Sequence, residues 1–194
     1  KLAAGLPLKN IALTIDGTTR KGEVVITEFG IEGSGIYPLS PQIRKQLNEQ
    51  QKAIVYIDLK PSLTMDNLIQ LLKNKPGNCT MTKYLDGTLS FSKSQLALLK
   101  NLTTQEDFLN PEVLAAKIKE LPLHIIGLGP IDEAISTTGG ISLNEIDENF
   151  QLKKIPKHYV IGEMLDWDAP TGGYLLQACF SMGYKLAEYL NKSY

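Results

Sequence analysis

The chain has 194 residues, 20 Lys plus Arg against 21 Asp plus Glu and 43% apolar side chains, the profile of a soluble globular protein and not of a disordered or fibrous one. A net charge of −1 and a pI near 6.2 give no electrostatic footprint for a phosphate backbone or an anionic lipid surface, so neither nucleic acid nor membrane is an expected partner. The longest nearly apolar run, Leu121 to Ile131, is broken by Pro122, His124 and Pro130 and falls far short of the ~20 residues a spanning helix needs.

The first sixty residues read as strands. Asn10 to Ile15 alternates apolar and polar side chains, Asp16-Gly17 supplies a turn, and Glu23 to Thr27 carries a β-branched run, so a hairpin is expected. A glycine-rich loop from Phe29 to Gly35 leads into a helical stretch through Ile43 and Leu47, and Ala53 to Leu59 returns as a strand ended by Pro61. From Ser62 to Leu121 the period becomes helical. Thr64, Ser92 and Asn110-Pro111 stand as helix-start signals before apolar residues, which predicts three short helices interrupted by turns at Pro76-Gly77-Asn78 and Asp86-Gly87. After Leu121 come short strands and glycine pairs: Leu123 to Leu128, Thr137 to Ile141, and His158 to Ile161. A last helix begins near Gly173, with Leu176, Cys179, Phe180, Gly183, Leu186, Ala187 and Leu190 as the stripe expected to pack on a sheet.

Cys79 and Cys179 lie far apart with no C-x-x-C, so both are expected to be reduced and the compartment cytoplasmic. The start at Lys1 shows neither the long apolar stretch nor the cleavage site of a signal peptide, and the missing initiator methionine is what a cut chain would show. His124 and His158 have no neighbouring ligand pair, so no metal site is expected. Neither cysteine has an adjacent base, and no catalytic residue is assigned.

One arrangement points to ligand chemistry. The run Tyr159 to Ile161 opens into Gly162-Glu163, and Thr171-Gly172-Gly173 then leads into the final helix. A helix N-terminus presents unpaired N–H groups and partial positive charge, and adjacent glycines allow close approach of a ligand. An acid ending a strand is placed to accept hydrogen bonds from ribose or polyol hydroxyls, which makes Glu163 a candidate. On these residues alone, a tight turn with Glu163 as a solvated loop end is an equal alternative.

The stretch GEMLDWDAPTGGYLLQ, residues 162–177, resembles the C-terminal signature of the BaiN/YhiN-like flavoproteins, the aminoacetone-oxidase family of FAD-binding enzymes. TTGGISLNEID at 137–147 is similar to that family's Thr-x-Gly-Gly segment, and GEVVITEFGIEGSGI at 22–36 to its strand-loop-helix opening. The resemblance implies an α+β fold. A β-rich, barrel-like domain would comprise residues 1–61 and 122–141 with a helical insertion at 62–121, and residues 142–194 would be the C-terminal segment of a split α/β FAD-binding domain. It implies an FAD-dependent oxidoreductase that transfers hydride to or from flavin.

Carried over by position, the resemblance sets Gly162 and Glu163 beside the ribityl chain. Gly172, Gly173 and Tyr174 fall at the flavin's pyrimidine edge, Thr171 counts with them among the cofactor-binding residues, and Thr138, Gly139 and Gly140 line the flavin or the substrate space. No Gly-x-Gly-x-x-Gly phosphate loop is present: Gly127-Leu128-Gly129 runs into Pro130, and Gly33-Ser34-Gly35 lacks the third glycine. The chain is therefore expected to be the C-terminal half of a longer flavoprotein. Its partners would be the missing N-terminal half of the same polypeptide and a small-molecule substrate, with NADH or NADPH a candidate electron donor, and its own FAD binding would be weak or absent. Where many members read Phe-Thr-His, this chain has Ile26-Thr27-Glu28, so any role of that histidine does not transfer. The alternative from a different class is a non-catalytic binding module whose glycine loops hold an anionic metabolite or a partner peptide.

Overall fold

The structure, a computed structural model, describes residues 4–134, 136–170 and 172–193. It divides into two compact units, Lys1–Leu128 and Gly129–Tyr194.

In the first unit β1 (Pro7–Ile15) and β2 (Thr18–Ile26) form the hairpin that Asp16-Gly17 closes. Two residues of β3 (Ile31–Glu32) extend it beyond β2, β4 (Ala53–Asp58) adds on the other side of β1, and β5 (Leu121–Ile125) pairs with β4. Every pairing is antiparallel, in the order β3-β2-β1-β4-β5, and the sheet curls as a half-barrel. The α+β class with a barrel-like sheet, expected from the resemblance, is the class found. Period-two alternation fixes which face is covered: Leu13 and Ile15 on β1 and Ala53, Val55 and Ile57 on β4 are buried, whereas Thr14, Tyr56 and Asp58 face the other way. A register shift between Leu8 and Ile11, with Asn10 at φ 54°, lets both of these residues join the same core.

Helices cover the apolar face. Between β3 and β4 lies α1 (Ser40–Gln50). The segment between β4 and β5 holds α2 (Met65–Lys73), α3 (Met81–Gly87), α4 (Lys93–Leu102) and α5 (Pro111–Lys119). The three predicted helix starts are real caps. Thr64 accepts from the Asn67 amide, Ser92 and Gln95 form a reciprocal capping box, and Asn110 accepts from the amides of Glu112 and Val113. The sequence reading expects three helices here, and the structure has a fourth, α3. Thr80 caps it by accepting from the Lys83 amide, and Asp86-Gly87, read as a turn interrupting helices, forms the end of this one. Leu68, Leu72, Leu85, Leu99, Leu114 and Ile118 are at most 1% exposed, and burying each such side chain contributes roughly 1.5–3 kcal/mol. Two polar groups pin α4 to the sheet: Ser94 donates to Pro7 O at 2.6 Å, and the buried Gln95 amide donates to Leu59 O at 3.0 Å.

The second unit has a small core of Ile146, Val160 and Leu165, joined by the partly buried Ile141, Phe150, Leu152, Trp167 and Met182. Its long helix is α6 (Tyr174–Ser193). The expected strand over His158 to Ile161 is reduced to one antiparallel bridge, Tyr159 to Gln151, because this unit supplies no extended partner for it among the described residues. The face that α6 packs also differs from the predicted stripe. Cys179, Gly183, Leu186 and Leu190 are half-buried together with Leu175 and Met182, while Leu176, Phe180 and Ala187 are exposed. The helix is apolar on two sides, and this unit covers one of them.

Candidate functional site

Within the second unit the structure brings two of the predicted segments together. The Ile141 amide donates to Met164 O at 2.9 Å and the Asp166 amide donates to Ile141 O at 2.8 Å, forming a parallel bridge between Ile141 and Leu165. The Asp166 carboxylate accepts from the Gly139 amide at 3.1 Å. Thr138, Gly139 and Gly140 therefore lie alongside the loop that follows Gly162 and Glu163. Gly140 is obligatory for this approach. At φ 128°, a Cβ there would come within 2.6 Å of Met164 O, which is backbone and cannot swing aside.

Gly162 and Glu163 begin a single 3-10 turn, Gly162–Met164, whose hydrogen bond runs from the Leu165 amide to Gly162 O at 3.2 Å. Gly162 O also accepts the Trp167 indole N–H at 2.9 Å, and the Gly162 amide donates to Met182 Sδ of α6 at 3.3 Å. Gly162 sits at φ 71° with the Cys179 sulfur 3.6 Å from where a Cβ would be. Both its polar backbone groups are thus engaged within the protein, so its contribution is to fix the corner. What the corner presents outward is the Glu163 side chain, which is exposed and pairs with no other side chain among the described residues.

Gly172, Gly173 and Tyr174 form the start of α6, and all three are exposed. The first helical bond anchored there runs from the Gln177 amide to Gly173 O at 3.0 Å, which leaves the amides of the preceding turn pointing out of the helix end. The Gly162 corner touches α6 further along, at Cys179 and Met182; at a rise of 1.5 Å per residue, the helix start at Tyr174 lies roughly 7.5 Å from the Cys179 contact. Thr171 lies outside the described residues.

Asp166 and Trp167 tie the segments together, and sequence reasoning gave them no such part. An Asp in a polar loop has no local signal that distinguishes a solvated carboxylate from one gripping a distant amide. The one available signal was compositional, since Trp167 is the single tryptophan of the chain and stands five residues after Gly162. Cys79 and Cys179 are both free thiols. In the first unit, an open depression of about 420 Å³ on the uncovered sheet face is lined by Thr14, Thr19, Tyr56, Met65, Asp58 and Lys119. The Asp58–Lys119 ion pair fills its polar end. No helix among the described residues is long and apolar enough to cross a membrane.

A curled antiparallel sheet with a helical insertion, followed by a glycine-laced loop pair and a long helix, defines the class: an α+β protein built on a half-barrel sheet. Residues 1–136 match the family model for the HI0933-like protein barrel and H2TH domain, and the chain belongs to this family, that of the BaiN/YhiN-like flavoproteins. It is 27% identical over 175 residues to the 3-dehydro-bile acid delta(4,6)-reductase of Clostridium scindens, a match covering 84% of this chain and 42% of the relative. It is 21% identical over 194 residues to the ribosomal RNA dihydrouridine synthase of Escherichia coli, covering 97% of this chain and 47% of that relative. The chain spans less than half the length of these two curated relatives.

Proposed function

We propose that this chain is the barrel-bearing and C-terminal portion of an FAD-dependent oxidoreductase, in which the first unit forms the substrate or cap side and the second unit supplies one wall of the flavin site. The observation that carries this reading is the interlock of Gly139–Ile141 with Met164–Asp166, which fixes Glu163 on a corner with its carboxylate facing outward. The donor set fits the group. An exposed carboxylate accepts from polyol hydroxyls, and the start of a 20-residue helix offers amides to an electron-rich ring edge. The pyrophosphate loop would come from an upstream region of the same polypeptide.

When bound, FAD supplies the hydride chemistry, and the protein supplies position and electrostatics. Glu163 would hold the ribityl hydroxyls. The amides at Gly173 and Tyr174 would face the pyrimidine edge, where negative charge develops on reduction; a helix end stabilises such charge by about 0.3–1 kcal/mol when exposed and more when desolvated. Thr138, Gly139 and Gly140 would border the ring or the substrate. A delta(4,6) reduction and a dihydrouridine synthesis each saturate a carbon–carbon double bond, so hydride delivery to such a bond is the reaction class we take forward. The names of the relatives differ in what they act on, a bile acid and ribosomal RNA, and the substrate itself does not carry over. A net charge of −1 favours a small molecule over a phosphate backbone, and two free thiols fit the reducing cytoplasm.

The test is a flavin measurement on the polypeptide that includes the upstream region. A yellow protein with flavin absorbance after gentle purification is the expected result, and a colourless one that takes up no added FAD would refute the proposal. The 194-residue chain alone should bind FAD weakly or not at all, by fluorescence quenching.

A further inference from the structure

We propose that Asp166 and Trp167 are positioning residues: together they hold the Gly139–Ile141 segment and the Gly162–Glu163 corner as one rigid platform, and flavin retention depends on that rigidity. The inference rests on the flavin reading above and goes beyond it in assigning two residues that the motif comparison left without a role.

Asp166 grips the glycine segment twice. Its amide donates to Ile141 O at 2.8 Å, and its carboxylate accepts the Gly139 amide at 3.1 Å, so both ends of a three-residue stretch are fixed by one residue. Trp167 acts on the other side, its indole N–H reaching back to Gly162 O at 2.9 Å while its ring packs on the small core of Ile146, Val160 and Leu165. Gly162 is therefore held at its oxygen by Trp167 and at its nitrogen by Met182 Sδ. Glu163 is the next residue along. An exposed glutamate on a free loop would spend most of its time in unproductive orientations, and ordering it would cost conformational entropy at each binding event. Here the backbone on its N-terminal side is already fixed, so a ligand has only the side-chain rotamers to order. Leu165, 1% exposed, anchors the centre of the platform.

The substitutions separate positioning from folding. Asp166→Ala removes the acceptor for the Gly139 amide, Asp166→Asn keeps a carbonyl oxygen able to accept it, and Trp167→Phe keeps the ring while removing the donor. Two readouts are needed. Amide hydrogen exchange on the 194-residue chain should show Gly139 exchanging about tenfold faster in D166A, near the wild-type rate in D166N, and Ile141 and Leu165 exchanging faster in W167F. Flavin release from the longer polypeptide should then be about tenfold faster in D166A and W167F, with D166N close to wild type. Unchanged exchange in D166A and W167F would show that the platform does not exist in solution. Faster exchange with unaltered flavin release would overturn the positioning role while leaving the flavin reading intact. A wild-type longer polypeptide without flavin would refute the reading and this proposal with it.

Discussion

Replacing Lys119 by methionine isolates one interaction that holds the helical insertion to the sheet. The Lys119 ammonium lies 2.5 Å from the Asp58 carboxylate and donates to Lys60 O at 3.2 Å and to Leu63 O at 2.7 Å, linking the end of α5 to the end of β4 and the chain that follows. Both side chains are less than a fifth exposed. Methionine keeps the aliphatic packing but leaves Asp58 without its cation and Leu63 O without the lysine donor, while Lys60 O keeps its bond from the Leu63 amide. Severing a fully buried pair costs about 3–5 kcal/mol; solvent at the open end of this depression lowers that to roughly 2–3 kcal/mol. With a urea dependence of about 2 kcal/mol per molar, the unfolding midpoint followed by far-UV circular dichroism should fall by about 1–1.5 M. The double variant Asp58→Asn, Lys119→Met removes the orphaned charge and should be about 1 kcal/mol more stable than Lys119→Met alone. A midpoint shift corresponding to less than about 0.5 kcal/mol, or effects of the two substitutions that simply add, would refute this account of the pair.

Gly140→Ala should destabilise the second unit by roughly 2–4 kcal/mol, since it forces a side chain onto a left-handed φ and against Met164 O; the fluorescence of Trp167, in the same unit, should report an earlier unfolding transition. Glu163→Ala in the longer polypeptide should weaken FAD retention without unfolding the domain, and undiminished retention would remove Glu163 from the site. Ser92→Ala should cost about 1 kcal/mol through loss of the capping box that starts α4, measurable in the same urea titration. The Glu112 carboxyl is held below its ordinary value first by its hydrogen bond from Lys73. A carboxyl depressed in the folded state adds stability above its unfolded pKa and loses it as pH falls through the folded one. Acidification below about pH 4.5 should therefore destabilise the wild type more than Glu112→Gln, by comparison of melting temperatures.

The first unit was legible because its signals are local. Alternation over Asn10–Ile15, the Asp16-Gly17 turn and the polar caps at Thr64, Ser92 and Asn110 each act within a few residues, and each produced the element it announces. The helix α3 was missed because Gly87, a sign of chain reversal, closes that helix instead of separating two others. The second unit was harder for a physical reason. Period-two character over His158–Ile161 makes a strand only where a neighbouring strand accepts its hydrogen bonds, and this unit provides a single bridge. The stripe on α6 failed similarly, since a helix apolar on two sides carries no internal mark of which side its own unit will cover. The glycine segments could be found from their motif resemblance. Their mutual clamp could not, because Asp166 and Gly139 are 27 positions apart and an aspartate's acceptor role is set by what folds next to it.

The bare side of α6 governs how the isolated polypeptide will behave in the tube. Leu176, Phe180 and Tyr184 recur every four residues and are 59%, 65% and 69% exposed, an oily ridge set along one edge of the rod. Water pays for that ridge, and at millimolar concentration two molecules would lower the cost by pressing their ridges together. Sedimentation should show self-association that grows with protein concentration and is suppressed by Phe180→Ser.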